Sequence, residues 1–235
     1  MPARSPARPR AVVVSIGGSV LLTGAGDRKY LDRLADLLRR VGRSTPLVVT
    51  TGGGRTAREY IRLGRELGLT EVELDELGID VTRLHARLLA ARVGPPAPAH
   101  PPTTLALAVH ELQRSSPVIL GGTEPGHTTD GVAALLAARL RAARLVNATD
   151  VDGLYDEDPR THPKARRIPR IRWADFRRRV EAMTSGEAGQ NFLFDRLGAD
   201  TLARAGIPLC IVQGRDLPNL EAALRGRPFD GSRVD

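Results

Sequence analysis

Short apolar runs alternate along the chain with longer segments in which leucine recurs every three or four positions. Val12–Ile16 reads as a buried strand, and Tyr30–Val41 as an amphipathic helix with Leu31, Leu34, Leu37, Leu38 and Val41 on one face. Pro46–Thr51 reads as a second strand that runs into Gly52-Gly53-Gly54, with a helix over Thr56–Leu67. Val72–Val93 is predicted helical with a glycine break at Gly78. Gly94–Pro102 holds five prolines, which exclude regular structure and mark an exposed loop. Leu105–Leu112 reads as a short helix. The second half repeats the theme: strand Pro117–Leu120, loop Gly121–His127, helix Thr129–Leu140, strand Leu145–Ala148, and a polar loop through Pro163. Phe192–Ala205 reads as helix, Leu209–Val212 as strand and Leu217–Leu224 as a final helix. Such alternation implies an α/β fold, with an open, mostly parallel central sheet covered by helices on both faces in three α/β/α layers. There is no internal sequence repeat.

The chain has 235 residues, 41% of them apolar, enough to bury a core without staples. No apolar run approaches the ~18 residues a membrane span requires. Arg4, Arg8 and Arg10 precede an apolar stretch from Ala11 to Leu22, as in a secretory signal, but Gly17, Gly18 and Ser19 interrupt it. Residues 1–10 are therefore expected to form a disordered basic tail, and 11–235 a single domain. The single cysteine, Cys210, excludes an internal disulfide framework. It is expected as core filler, in keeping with a reducing, cytoplasmic setting.

Charge sharpens one region. The net charge is +8, from 35 basic and 27 acidic residues, and only Lys29 and Lys164 are lysines. Residues 160–179 hold nine Arg or Lys and one acid, Asp175. Such a run suits nucleic acid or another polyanion, and equally a solvated loop and helix start; with only Trp173 and Phe176 as nearby aromatics, nucleic acid is the weaker reading.

Candidate chemistry gathers where strands end. Ile16-Gly17-Gly18-Ser19, Thr51-Gly52-Gly53-Gly54-Arg55 and Gly121-Gly122-Thr123 each follow an apolar strand. In open α/β sheets the carboxyl ends of strands form the ligand crevice. Glycine lets backbone amides approach a phosphate, and a following helix start adds partial positive charge. None of the three fits G-x-x-x-x-G-K-[ST] or G-x-G-x-x-G. The string Thr123-Glu124-Pro125-Gly126-His127-Thr128-Thr129-Asp130 offers hydroxyls and amides to a phosphate or base edge, and Thr128 or Thr129 as a helix cap. His127 taken alone reads as a loop histidine. The acid-rich loop from Ala148 to Pro159 lacks EF-hand ligand spacing and suits a nucleoside pocket better than calcium.

Together these segments resemble the amino-acid-kinase family, most closely its archaeal UMP kinases. The resemblance runs from about Ala11 to the C-terminus. It rests on Val14-Ser15-Ile16-Gly17-Gly18-Ser19, on Gly52-Gly53-Gly54 with Arg58, on Asp75-Glu76-Leu77-Gly78-Ile79, on Gly121 to Asp130, and on Val151-Asp152-Gly153 with Tyr155, Asp158 and Pro159. It implies ATP-dependent conversion of UMP to UDP with Mg²⁺. Ser15, Ile16, Gly17, Gly18, Ser19, Gly54 and Arg58 would surround the ATP phosphates, and Thr149, Tyr155 and Asp158 the adenosine. Gly53, Asp75, Thr123, Glu124, Pro125, Gly126, His127, Thr128 and Thr129 would hold UMP, with Asp75 on the ribose. The N-terminal half would thus bind mainly UMP and the C-terminal half mainly ATP. Asp130 would orient the groups around the transferring phosphoryl, with no protein metal site. A homo-oligomer, by analogy a hexamer, is implied.

Many family members place lysines where this chain has Ser15, Asp150 and Asp200. Arg196 or Arg204, one helical turn either side of Asp200, is expected to substitute for the missing phosphate-facing cation. The missing lysines leave open a non-catalytic relative that binds nucleotides or oxyanions for storage or regulation, or a kinase for another small phosphate or carboxylate.

Overall fold

The computed structural model describes residues 9–24, 26–157, 159, 161–184 and 194–235. Most of the expected tail, Asp158 and the start of the helix expected at Phe192 lie outside the described residues. In chain order the elements are β1 (Val12–Ile16), α1 (Gly18–Leu21), α2 (Asp27–Gly42), β2 (Leu47–Thr51), α3 (Gly54–Glu66), α4 (Glu71–Val93), α5 (Leu105–Leu112) and β3 (Val118–Leu120). There follow α6 (Thr129–Arg139), β4 (Arg144–Thr149), β5 (Arg170–Ile171), α7 (Trp173–Thr184), α8 (Arg196–Ala205), β6 (Leu209–Gln213), α9 (Leu217–Arg225) and β7 (Ser232–Val234). The strands form one sheet in the order β3-β2-β1-β4-β6-β7-β5. All neighbours are parallel except β6 and β7, which run antiparallel. The short strands β5 and β7 escape the sequence pattern because neither has an apolar run long enough to read as a strand.

Period-two alternation divides the core in two. Val12, Val14 and Ile16 of β1, with Leu47 and Val49 of β2, pack under α2, α4 and α9. Val13, Val48, Leu145 and Ile211 point the other way, against α5, α6, α7 and α8. Strands buried on both faces explain the continuous apolar runs of the sequence. Cys210 is buried in the first of these cores, as core filler.

Helix α4 runs unbroken through Gly78, contrary to the expected break. Its start is fixed by a capping box in which Thr70 and Glu73 bond reciprocally. Packing of Leu74, Ile79, Ala86 and Leu89 outweighs the ~1 kcal/mol that a glycine costs a helix interior. The proline-rich loop of 94–102 is irregular as expected, yet Ala97 and Pro102 within it are buried.

One ion pair ties the start of α2 to the turn before α9. Arg215 donates to Asp27 Oδ1 at 2.6 Å and to the Val20 carbonyl at 3.1 Å, with its guanidinium 4.5 Å from the Tyr30 ring centre. Burial would raise the Asp27 pKa, but bonds from the Gly24 amide, Arg215 and Thr23 prevail and hold it at about 2. The folded value lies below the ordinary 3.8, so this contribution is present above pH 3.8 and lost as pH falls through about 2. Asp27→Asn should cost about 2 kcal/mol at pH 7, and the gap from wild type should close near pH 2. Urea titrations at both pH values check this.

Candidate active site

The same alternation that builds the core aims a row of polar side chains at one place. Ser15 shares the face of Val13 and pairs in register with Thr50 of β2 and Asn147 of β4. All three are buried near the carboxyl ends of the central strands. The Ser15 hydroxyl donates to Asp130 Oδ1 at 2.5 Å, and the Thr50 hydroxyl to the Thr129 carbonyl at 3.3 Å. The sheet thus grips the first turn of α6. Asp130 keeps some surface, but protein atoms crowd its carboxyl. Desolvation raises its pKa, the Ser15 bond lowers it and the Asp195 charge raises it, leaving it at about 6. Thr50 and Asn147 were not read as site residues. Their signal was a polar residue near the end of an apolar strand.

Two of the glycine loops touch. A Cβ on Gly18 would lie 2.2 Å from the Gly54 amide nitrogen and 2.6 Å from the Gly52 carbonyl. Gly54 has a φ of +58°, and a Cβ there would lie 2.4 Å from the Gly18 carbonyl carbon. Glycine is required here by backbone-on-backbone packing, a demand beyond the phosphate access read from the sequence. Gly18 and Ser19 therefore sit against Gly53 and Gly54, Gly52 donates to the Ile16 carbonyl at 2.8 Å, and Gly17 donates to the Ala148 carbonyl of β4 at 3.0 Å. Arg58 lies one turn into α3, exposed and without an ion-pair partner among the described residues.

Helix α4 holds the loops in place through residues the sequence reading did not select. The Thr82 hydroxyl accepts from the Gly122 amide at 2.7 Å, and Arg83 donates to the carbonyls of Gly122 and Thr123 at 3.2 and 3.0 Å. His85 Nδ1 lies 2.8 Å from the Gly52 carbonyl. Asp75, expected on a ribose, accepts from the Gly126 amide at 2.8 Å and so shapes the loop from Thr123 to Thr129. Between α3, α4 and this loop lies a cavity of about 170 Å³, lined by Asp75, Pro125, His127, Thr128 and Thr129 among the expected residues. Gly78 lines it too, and a Cβ there would meet only Ile61 Cδ1, at 3.4 Å. That opening is the role of the glycine read as a break. Thr123 Oγ1 and His127 Nδ1 are buried with no hydrogen-bond partner among the described residues. His127 Nδ1 is 3.3 Å from Glu124 Oε1, but the contact lacks hydrogen-bond geometry. Unsatisfied buried groups are costly, so the loop presents polar atoms suited to a ligand.

The acid-rich loop is braced internally. Tyr155 donates to Asp152 Oδ1 at 2.7 Å, and Arg167 reaches Asp152 Oδ2 at 3.1 Å. Thr149 closes β4 with its hydroxyl on Asp150 at 3.2 Å. Much of the basic run is spent on such pairs: Arg170 is bidentate to Asp235, and Arg178 pairs with Asp175. Arg177 donates to Asp200 at 2.5 Å. The acid at the lysine position is thus paired with a cation from α7, while Arg196, expected to substitute for the missing cation, lies 3.7 Å from Glu181.

Glycine loops at strand ends, a desolvated carboxylate at a helix head and a cavity beside them define an open α/β protein with its candidate site at the carboxyl ends of the central strands. The chain belongs to the amino acid kinase family, whose model matches residues 10–213. The uridylate kinase of Methanothrix thermoacetophila is 41% identical over 223 residues, spanning 95% of this chain and 98% of that protein. That of Methanothermobacter thermautotrophicus is 39% identical over 92% of this chain and 95% of its own length. The crystal structure of uridylate kinase from Archaeoglobus fulgidus superposes with a TM-score of 0.85 at 35% identity, covering 96% of this chain and all of that one.

Gly78→Ala should raise helix stability by roughly 0.5–1 kcal/mol while intruding on the cavity, so thermal melting and ligand affinity should move in opposite directions. Gly18→Ala should do the reverse of the first effect, destabilising by about 1–3 kcal/mol through backbone overlap, as read by thermal melting.

Proposed function

We propose that this chain transfers the γ-phosphoryl group of ATP to UMP, giving UDP and ADP for pyrimidine nucleotide synthesis. The observation that carries the reading is Asp130, bonded to Ser15 at the head of α6, where the glycine loops and the cavity converge. Near-full-length similarity to uridylate kinases supports it and disfavours a storage role or another substrate.

Phosphoryl transfer needs little covalent help; it needs in-line positioning and a field matched to the transferring charge. UMP would occupy the cavity of the N-terminal half, against the loop from Thr123 to Thr129, with Gly53 at its phosphate end. His127 lines that cavity, and its Nδ1 has no hydrogen-bond partner among the described residues. ATP would lie toward the C-terminal half, over Ser15–Ser19, Gly54, Thr149 and Tyr155, with Arg58 supplying positive charge. Among the described residues no group of three or more His, Cys, Asp or Glu side chains is placed to cage a metal. Magnesium would arrive on ATP as part of the substrate, keeping phosphate and water ligands. Asp130 orients the reacting groups, and its charge is the form present above about pH 6.

The same reading extends to assembly. Tyr60 and Leu63 of α3, with Leu67 at its C-cap, are 53%, 48% and 71% exposed at three- and four-residue spacing, an apolar stripe that supports a homo-oligomer, by analogy a hexamer. No helix among the described residues is long and apolar enough to cross a membrane, and a cytoplasmic location suits the substrates.

With ATP and Mg²⁺, UMP should be phosphorylated much faster than AMP or GMP in a coupled assay. Turnover of a different small phosphate or carboxylate, with none of UMP, refutes the reading. Asp130→Asn should lower kcat on the order of 10²-fold with little change in KM. Wild-type kcat should fall as pH drops through about 6, a limb the variant lacks. Since the folded pKa is raised above 3.8, the ionised carboxylate costs stability, a cost that develops between pH 3.8 and about 6. The variant should therefore melt no lower than wild type at pH 7.

A further inference from the structure

Asp195 stands outside every motif read from the sequence, yet it joins two helix heads. Its Oδ1 accepts from the Gly198 amide at 2.6 Å, capping α8. Its Oδ2 accepts the hydroxyl proton of Thr128, which in turn caps α6 by accepting from the Gly131 amide at 3.0 Å. A Cβ on Gly131 would lie 3.2 Å from Asp195 Oδ2, so the carboxylate rests on the first turn of α6 as well as on its own helix. One anion thus faces two partial positive poles. A hydroxyl has a single proton, and that of Thr128 is committed to Asp195. Toward a ligand, Thr128 has only lone-pair capacity and its backbone left to offer.

Asp130 lies two residues beyond Thr128 on the same turn. Ser15 of β1 and Asp195 of α8 are the groups among the described residues that bond it or act on its charge, while Thr50 of β2 bonds the neighbouring Thr129 carbonyl. The first turn of α6 is therefore held on the sheet side by hydrogen bonds from Ser15 and Thr50, and on the helix side by the hydrogen bond from Thr128 to Asp195, with Leu197 packed beside it.

We propose that Asp195 is a positioning residue for phosphoryl transfer, fixing the head of α6 through Thr128 so that Asp130 meets the reacting groups. This rests on the kinase reading given above. Asp195 touches no reacting atom; it acts through the turn it anchors. Its negative charge also adds to what keeps a proton on Asp130.

Asp195→Ser retains a cap for α8 but is too short to reach Thr128. Asp195→Asn keeps the reach and removes the charge. Asp195→Ser should lower kcat about 10–100-fold, the loss expected from a small misplacement at a reacting centre, with KM for ATP nearly unchanged. Combined with Thr128→Val it should be no slower than Thr128→Val alone, since both break one link. Asp195→Asn should move the acid limb of kcat, and the Asp130 carboxyl titration followed by ¹³C NMR, to lower pH. Wild-type kcat in Asp195→Ser, with an unshifted titration in Asp195→Asn and only a lower melting temperature, would overturn the proposal and leave Asp195 a helix cap. If the wild type fails to phosphorylate UMP, the functional reading falls instead; the NMR titration then decides for or against the electrostatic link without turnover.

Discussion

The Asp130 carboxyl is crowded by protein atoms yet held by a hydrogen bond from the sheet, and the head of α6 is arranged around those two opposing effects. Stripping solvent from a carboxylate favours its neutral form, and the nearby Asp195 pushes the same way. Against this stands the Ser15 hydrogen bond. The balance places its titration at about 6 rather than 3.8. The β1 strand supplies Ser15 because its fourth residue shares the face of Val13, so the alternation that builds one core also delivers the bond.

The glycine loops answer a second constraint. Gly18 and Gly54 are so close that neither tolerates a β-carbon, and the two strand ends are locked together at backbone distance. Walls assembled this way need no lysine to hold them. The loops meet at backbone distance although Ser15 and Asp150 stand where family lysines occur, and Arg58 is exposed one turn into α3.

Charge elsewhere is spent mostly on architecture. Arg167, Arg170, Arg177 and Arg178, from the most basic stretch of the chain, find carboxylates on the acid-rich loop, the C-terminus, α8 and α7 itself. Asp200 is one of these partners, so the acid standing in a lysine position is neutralised by an arginine from another helix. Exposed pairs of this kind contribute modestly to stability. Here they fix short edge strands such as β5, which have little apolar area of their own.

The sequence by itself determined five of the seven strands and most of the helices, because doubly buried strands and amphipathic helices write their periods into the chain. It also marked the glycine loops and the string from Thr123 to Asp130, where backbone freedom and polar atoms are needed beside apolar runs. Only the tertiary structure decided which groups meet. Ser15 and Asp130 are 115 positions apart, and nothing local records their bond. Thr82, Arg83 and His85 look like ordinary helix positions until α4 is laid across the strand ends. Gly78 reads as a helix breaker by propensity, yet packing on both sides of it keeps the helix whole and turns the missing side chain into cavity. Asp195 and Arg177 likewise act through neighbours distant in sequence, and long-range electrostatics and packing leave no periodic trace.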